Sequence, residues 1–272
     1  MTSAIDLISL AAPEFGGACT EVSDTSAILE LPVKLVDGRI IHYKLRLKKR
    51  GERVTAQEEV TKHLPSFCPE RHINPDGTFC LYYAGITCLD VVNEVSASAW
   101  LETVYKYLKL QERARVQRRW PNNDVWAHGD AAYYQLRAQA AAVAFNDNIA
   151  SALAGRRLQL KRRHSKGRPI LDLWIDGTYF YSVWELSKKV INQKQRCFCG
   201  KSGRRIPKRL RGCADHAKRA CELVLALRDW EQAEELYWKS MQEESCCGTC
   251  DSCPLKRPEP VAQDQEQEAV QH

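Results

Sequence analysis

A cysteine beside a tight-turn sequence is the first candidate for chemistry in this chain. The segment Cys68–Gly85 reads CPERHINPDGTFCLYYAG, and it places His72 eight residues before Cys80, across a Pro-Asp-Gly turn. A thiolate in reach of an electrophile can accept an acyl group, and hydrogen-bond donors nearby stabilise the oxyanion that forms. We expect the positive charge of Arg71 to lower the pKa of a nearby thiol. The segment therefore offers Cys80 as a nucleophile and His72 as its neighbour.

The flanking residues allow a second interpretation of Cys80. It lies between Phe79 and Leu81, and a cysteine in apolar company is more often a small buried residue than a catalyst. Cys68 fits the same description, and we expect it to pack. Spacing alone leaves both interpretations of Cys80 open, with burial the commoner outcome.

A second group of residues has the spacing of a metal site. Cys197 and Cys199 form a Cys-x-Cys pair, and Cys213 and His216 form a Cys-x-x-His pair after a spacer of 13 residues. Thiolate and imidazole are the preferred zinc ligands, and short pairs reduce the entropy lost on closing the site. These four residues predict a zinc centre.

The run CCGTCDSCPL adds more thiols near the C-terminus. Its Cys247, Cys250 and Cys253 have Cys-x-x-Cys-x-x-Cys spacing, with Cys246 or Cys221 as a possible fourth ligand. Such spacing suits a second zinc ion or an iron–sulfur cluster, or the thiols could complete the first site. We favour a second zinc. The chain would then bind two zinc ions, or one if these thiols complete the first site.

Periodicity and turn residues predict the elements that must position these groups. Alternation on both sides of Asp37-Gly38 predicts a β-hairpin within residues 19–50, and Asp176-Gly177 centres a second hairpin. Residues 53–63 favour a short helix or an irregular connection. Helical spacing covers three further segments, which are residues 96–118, 130–154 and 217–244.

A shift in charge marks the predicted domain boundary. Residues 156–219 contain 19 lysines and arginines but only 4 acidic residues. We therefore predict a first domain at residues 1–155, a basic cysteine-rich domain at residues 156–255 and a disordered polar tail at residues 256–272. The basic block could bind phosphates or form a solvated face, but no nucleic-acid signature accompanies it, so we favour a protein partner.

Composition limits the class of protein. The chain has 272 residues, 44% of them hydrophobic and 27% charged, with a net charge of +6, which is enough apolar material for a core. We see no signal peptide and no apolar run long enough to span a membrane. Most of the twelve cysteines cluster between Cys197 and Cys253, a pattern typical of metal binding in a reducing compartment, and we expect a cytoplasmic protein.

The segment INPDGTFCL resembles the active-site segment of ubiquitin-conjugating enzymes. That family carries an Asn-x-x-Gly-x-(apolar)-Cys-Leu run, which Asn74, Gly77, Cys80 and Leu81 match. The resemblance implies that Cys80 is the thioester cysteine and that Asn74 belongs to the site. The family has an Asn eight residues before the cysteine, where this chain has His72, and a His could donate a similar hydrogen bond. Cys88, in TCLDVV, is a weaker candidate for the acceptor.

The order of the later elements extends the resemblance. A Trp after the cysteine, a helix, a Pro-Asn segment and Ala/Tyr-rich helices follow one another in the family, and this order covers roughly residues 10–150 here. The resemblance implies an α+β fold, with an antiparallel β-meander flanked by helices, before a small cysteine-rich zinc-binding domain with a hairpin and a long helix. His128 is a further candidate, either in the cleft or as a capping residue, and we favour the structural role.

The resemblance implies a transferase of the bacterial ubiquitin-like conjugation operons, which are linked to antiphage defence. Its partners would be a ubiquitin-like modifier and an activating enzyme, because the chain has no Walker loop with which to adenylate the modifier itself. The alternative is a catalytically inactive zinc-containing adaptor that binds a protein or nucleic acid. Formation of a thiol-sensitive adduct with the modifier separates the two.

Overall fold

The computed structural model describes residues 2–51, 53–82, 89–121, 127–198, 209–213 and 215–256. Within these ranges, two antiparallel four-stranded sheets are flanked by helices, so the predicted α+β class is confirmed. Cys88, Cys199 and the tail beyond Lys256 lie outside the described residues.

The first sheet is a meander in the order β1-β2-β3-β4. Its strands are β1 (Ala18–Thr20), β2 (Ser26–Lys34), β3 (Ile40–Arg50) and β4 (Arg53–Glu58). The predicted hairpin around Asp37-Gly38 is present, because Lys34 pairs with Ile40 and Ser26 with Lys48. The positive φ of Gly38, 87°, supplies the backbone conformation that this turn requires.

Strand β4 corrects the prediction of a helix or irregular connection after residue 53. The sequence of β4 has only a weak strand propensity. Its pairing with β3, for example Ala56 opposite Leu47, supplies the hydrogen bonds that make it a strand. Val54 and Ala56 face the core, with 2% and 0% of their surface exposed. The strand helps to position the site, because its Ala56 carbonyl accepts a backbone hydrogen bond from the segment that carries Cys80.

Two helices cover the first sheet. Helix α1 (Ala4–Ala11) was not predicted from the sequence, whereas α2 (Glu94–Gln117) agrees with the predicted helix. Asn93 caps α2 by accepting a hydrogen bond from the Ser96 amide. Trp100 of α2 is fully buried, and its indole N–H donates to the Val54 carbonyl at 3.0 Å.

The helical segment predicted at residues 130–154 is two helices. They are α3 (Ala131–Phe145) and α4 (Asp147–Ala154). Asn146 lies between them with an extended backbone and accepts a hydrogen bond from the Ile149 amide at 2.8 Å. An asparagine that caps a helix ends the preceding one, which explains the break.

The second sheet is larger than the predicted hairpin. Its strands, in the order β5-β6-β7-β8, are β5 (Leu158–Ser165), β6 (Arg168–Ile175), β7 (Thr178–Trp184) and β8 (Lys189–Val190). Asp176 and Gly177 both have positive φ, as the turn between β6 and β7 requires. Strand β5 is hard to predict from its basic sequence, because its partner β6 supplies most of the buried side chains.

The long helix α5 (His216–Ser240) was predicted and is present. Its buried face packs with α3, α4 and the second sheet in one hydrophobic core, separate from the core of the first sheet. Helices α3 and α4 therefore belong with the second core. The boundary near residue 155 stays a prediction, and this packing favours a division before α3. Among the described residues, none of the helices combines the length and apolarity needed to traverse a membrane.

Candidate functional site

Cys80 lies at the end of a small hairpin whose turn the sequence specifies. The Asn74 amide donates to the Thr78 carbonyl, and the Gly77 amide donates to the Asn74 carbonyl, both at 2.9 Å. Gly77 has φ of +78°, a conformation that a side chain makes costly. The side chain of Asn74 donates to the Thr78 hydroxyl at 3.0 Å, so Asn74 stabilises the turn itself.

Backbone hydrogen bonds fix the thiol to the first domain. The Cys80 amide donates to the His72 carbonyl, and the Phe79 amide donates to Ala56 of β4, both at 2.8 Å. Phe79 is buried and stacks on Tyr107 with ring centroids 4.8 Å apart. Cys80 itself is exposed. Successive side chains on an extended segment face opposite ways, which is why apolar neighbours do not imply a buried thiol here.

The exposed thiol lies on the wall of a pocket of about 440 Å³. His72 and Asn74 line the same pocket, as do Lys106 of α2, His128 and Tyr237 of α5. The structure thus brings the three catalytic candidates from the sequence, Cys80, His72 and Asn74, together. Tyr237, which lies far away in the sequence, carried no signal that could have assigned it to this pocket.

The pKa of Cys80 is raised above its ordinary value because the surrounding protein removes water from the thiolate. Arg71 does not offset this effect, contrary to expectation. Its guanidinium is buried and donates to the side chain and carbonyl of Gln111 at 2.8 and 3.1 Å. After the larger effect of Cys68, its charge helps to lower the pKa of Cys247 and Cys250 instead.

His72 is a neutral ring in the folded protein. It has a left-handed backbone, with φ of 54°, and only 9% of its surface is exposed. Burial, followed by the charge of His128, lowers its pKa to about 3. Trp120 contacts the ring edge-on with centroids 5.1 Å apart. Neutral His72 can donate one N–H but carries no positive charge near Cys80.

His128 connects the first domain to α5. Its ring is stacked between His72 and Tyr237, at centroid distances of 5.4 and 4.7 Å. The Nδ1 atom of His128 lies 2.5 Å from the Glu234 carboxylate, and its Nε2 atom lies 3.1 Å from the Pro69 carbonyl. Burial lowers the pKa of His128, but Glu234 outweighs it and the pKa is raised overall. The expected structural role agrees with these contacts.

Three of the four residues predicted for the first metal centre lie close together. The Nδ1 atom of His216 lies 3.2 Å from the Cys197 sulfur and 3.3 Å from the Cys213 sulfur. All three donor atoms lie within 4.8 Å of one another. Around a tetrahedral zinc ion, a sulfur ligand and a nitrogen ligand lie about 3.6 Å apart. The residues present therefore fit zinc, with Cys199, outside the described residues, as the fourth ligand of the prediction.

The second run of cysteines contacts the first domain. Cys247, Cys250 and Cys253 cluster with Cys68 and Cys246, whereas Cys221 lies in the core of the second sheet. Cys221 is therefore not a neighbour of this run, contrary to one of the alternatives. The pKa of Cys247 is lowered to about 5, first because of a hydrogen bond with Cys68.

Two protein-family models match the chain in succession. Residues 15–122 match a model described as a prokaryotic E2 domain, and residues 127–255 match one described as a cysteine-rich domain C-terminal to the E2 domain. No curated protein and no solved structure gives a significant match. The first model includes Cys80 and its hairpin, and the second includes all the predicted metal ligands.

Proposed function

We propose that this chain, which belongs to the prokaryotic E2 proteins with a C-terminal cysteine-rich domain, carries a ubiquitin-like protein as a thioester on Cys80. The observation that carries the proposal is the exposure of this residue on the wall of a pocket, after a turn that fixes its position. The E2 domain gives the chain a ubiquitin-conjugation-like role with a modifier and an activating enzyme in general.

The first reaction is a transfer between two thiols. The Cys80 sulfur attacks the carbonyl carbon of the thioester that joins the modifier's C-terminus to the activating enzyme. A new sulfur–carbon bond forms, the old one breaks, and the Cys80 proton goes to the thiolate that leaves. An amine or another nucleophile of the target then attacks the new thioester and releases Cys80. The activating enzyme supplies the ATP-dependent step.

The pocket suggests a role for each neighbour of Cys80. The neutral ring of His72 offers one N–H donor for the developing oxyanion. Asn74 is a positioning residue, since its side chain donates to Thr78 within the turn. Because the pKa of Cys80 is raised, little thiolate stands ready at neutral pH, which suits a carrier that reacts only with an activated acyl group.

The basic block suggests where a protein partner docks. Three of its acidic residues already bind arginines of the same block, in the pairs Arg157–Asp176, Arg162–Glu185 and Arg163–Asp172. The block nevertheless keeps a large formal positive charge. An acidic surface on the modifier, the activating enzyme or the target would complement it. The role in bacterial antiphage defence is part of the proposal and rests on the family resemblance.

Loading of the chain tests the proposal. The protein is mixed with ATP, a ubiquitin-like modifier and the activating enzyme that adenylates this modifier, and the products are separated without reductant. We expect a modifier adduct that thiols cleave, and a Cys80→Ser variant that instead forms a thiol-resistant, alkali-labile ester. Cys19→Ser, which alters another free thiol of the same domain, is the matched control and should load normally.

Two outcomes would contradict this assignment. If Cys80→Ala still forms the thiol-sensitive adduct and Cys88→Ala does not, the acceptor is Cys88. If no variant and no wild-type preparation forms an adduct while the chain still binds the modifier or activating enzyme, the inactive-adaptor alternative holds.

A further inference from the structure

Cysteines from both halves of the chain meet in one buried cluster. Cys68 comes from the E2 domain, just before the hairpin that carries Cys80, and the other four thiols come from the C-terminal run. Phe67, Trp238, Met241 and Leu255 surround them. The cluster therefore lies where the E2 domain and the cysteine-rich domain join.

The thiols of the cluster contact one another. Cys68 packs with Cys247 and Cys250 in the cluster, and its sulfur lies 4.0 Å from the Thr249 hydroxyl. That same hydroxyl lies 3.0 Å from the Cys247 sulfur. Cys253 belongs to the same cluster, and Cys246 packs against it.

Burial distinguishes three of these thiols as candidates for ligands, and the Thr249 hydroxyl that Cys68 and Cys247 share adds Cys247 as a fourth. Cys68, Cys250 and Cys253 are 0%, 1% and 5% exposed, and the half-buried Cys247 packs against the same cluster. All are free thiols rather than disulfides. Several thiols at one interface, with Cys-x-x-Cys spacing in one of the two segments, are typical of a structural metal site.

We propose that Cys68, Cys247, Cys250 and Cys253 together bind one zinc ion, which joins the E2 domain to the cysteine-rich domain. Four thiolates complete a tetrahedral shell, the usual arrangement of a structural zinc site. Zinc binding would draw these sulfurs closer together, because among the described residues the group of donor atoms that already lies within 4.8 Å is that of the Cys197 centre. Cys246, which is half-buried and neighbours Cys253, remains outside the shell.

Contacts on both sides hold the two peptide segments in register. The Arg118 side chain, just after α2, donates to the Asp251 carboxylate at 2.7 Å and to the Gly248 carbonyl at 2.9 Å. In return, the Asp251 amide donates to the Arg118 carbonyl at 2.8 Å. Gly248 and Asp251 flank Cys250 in the C-terminal run. The E2 domain thus orients this loop independently of any metal, which presents the thiols to Cys68.

The proposed ion would anchor the Cys80 hairpin. Cys68 and Ile73 exchange backbone hydrogen bonds at 3.2 and 3.0 Å, and Ile73 pairs in turn with Phe79. A metal bound to Cys68 therefore fixes one side of the short ladder whose other side ends at Cys80. This inference concerns the joining of the domains and does not depend on thioester formation at Cys80.

Metal analysis of single variants tests the ligand set. Full-length protein is purified from zinc-supplemented medium, desalted, and its zinc per chain is measured by mass spectrometry. We expect two zinc ions in the wild type and one in Cys68→Ser. Cys246→Ser, which changes a neighbouring thiol that we place outside the shell, should keep two. Replacement of zinc by cobalt should give a strong sulfur-to-cobalt absorption that Cys68→Ser loses in part.

The remaining zinc serves as the folding control. If Cys68→Ser keeps the ion at the Cys197 centre and the wild-type circular dichroism, its loss of one ion reports a lost ligand. Cys68→His, which restores a ligand, should recover the second ion. The inference is wrong if Cys68→Ser retains as much zinc as the wild type, if Cys246→Ser alone loses an ion, or if the purified protein contains an iron–sulfur chromophore.

Discussion

Because the ring of His72 is buried, we expect the free energy of unfolding of this protein to fall at acidic pH. In the folded chain the pKa of His72 is about 3, against an ordinary value of 6.5, because burial and then His128 disfavour its cation. Below pH 6.5 the unfolded chain binds a proton that the folded chain does not. The stability that the neutral ring contributes is therefore complete above pH 6.5 and is lost as the pH falls toward 3.

The size of this loss follows from the two pKa values. At pH 5 the unfolded ring is almost fully protonated while the folded ring is not, which lowers the free energy of unfolding by about 2 kcal/mol. Only the ordinary pKa matters at that pH, because pH 5 is well above the folded value. The variant His72→Asn removes the titration, and asparagine tolerates the left-handed backbone found there.

Urea unfolding followed by tryptophan fluorescence, at pH 7.5 and pH 5, measures the effect. Other histidines and the thiol clusters titrate in both proteins, so the drop in stability is compared between wild type and His72→Asn. We expect the drop to be about 2 kcal/mol smaller in the variant. Equal drops, or a ring NMR signal of His72 that titrates near pH 6.5, would refute the argument. The ring of His128, with its raised pKa, is the internal control and should titrate higher.

Three further predictions concern the hairpin and the helix that supports it. The rate at which iodoacetamide labels Cys80 should keep rising beyond pH 9, about tenfold per pH unit below its raised pKa; a plateau below pH 8 would contradict the raised pKa. Gly77→Ala places a side chain at φ of +78° and should cost about 1 kcal/mol in urea unfolding. Gly38→Ala, with φ of +87° but far from the site along the chain, should cost as much, and only Gly77→Ala should change the labelling rate. Asn93→Ala removes the cap of α2 and should lower the unfolding free energy by about 1 kcal/mol, whereas Val95→Ala, an exposed change in the same turn, should not.

The hairpin around Asp37-Gly38 and the helices α2 and α5 were predictable because their signals are local. Period-two alternation, a turn dipeptide and helical spacing each depend on neighbouring residues, and the structure follows them. The turn before Cys80 is local in the same sense, since Asn74, Asp76 and Gly77 specify it. The break at Asn146 is local too, because asparagine is a preferred helix cap, but the prediction of one helix at residues 130–154 missed it.

The strand β4 depended on a partner instead. Its sequence, RVTAQE, has only Val54 and Ala56 as apolar residues, which is too weak a pattern to predict a strand. Pairing with the long strand β3 supplies its hydrogen bonds. Strand β5 follows the same rule, because its basic residues lie opposite the buried side chains of β6.

The sequence by itself determined which atoms could react: a thiol after a tight turn, and thiols and a histidine at the spacing of metal ligands. Only the tertiary structure decided where each of these groups lies. It turned the charge of Arg71 away from Cys80 and toward Gln111, placed Tyr237 in the pocket and brought Cys68 to a run of cysteines far along the chain. The physical reason is that burial and long-range contact set the pKa, the exposure and the neighbours of a side chain, and these depend on how the two cores pack together rather than on the residues beside it.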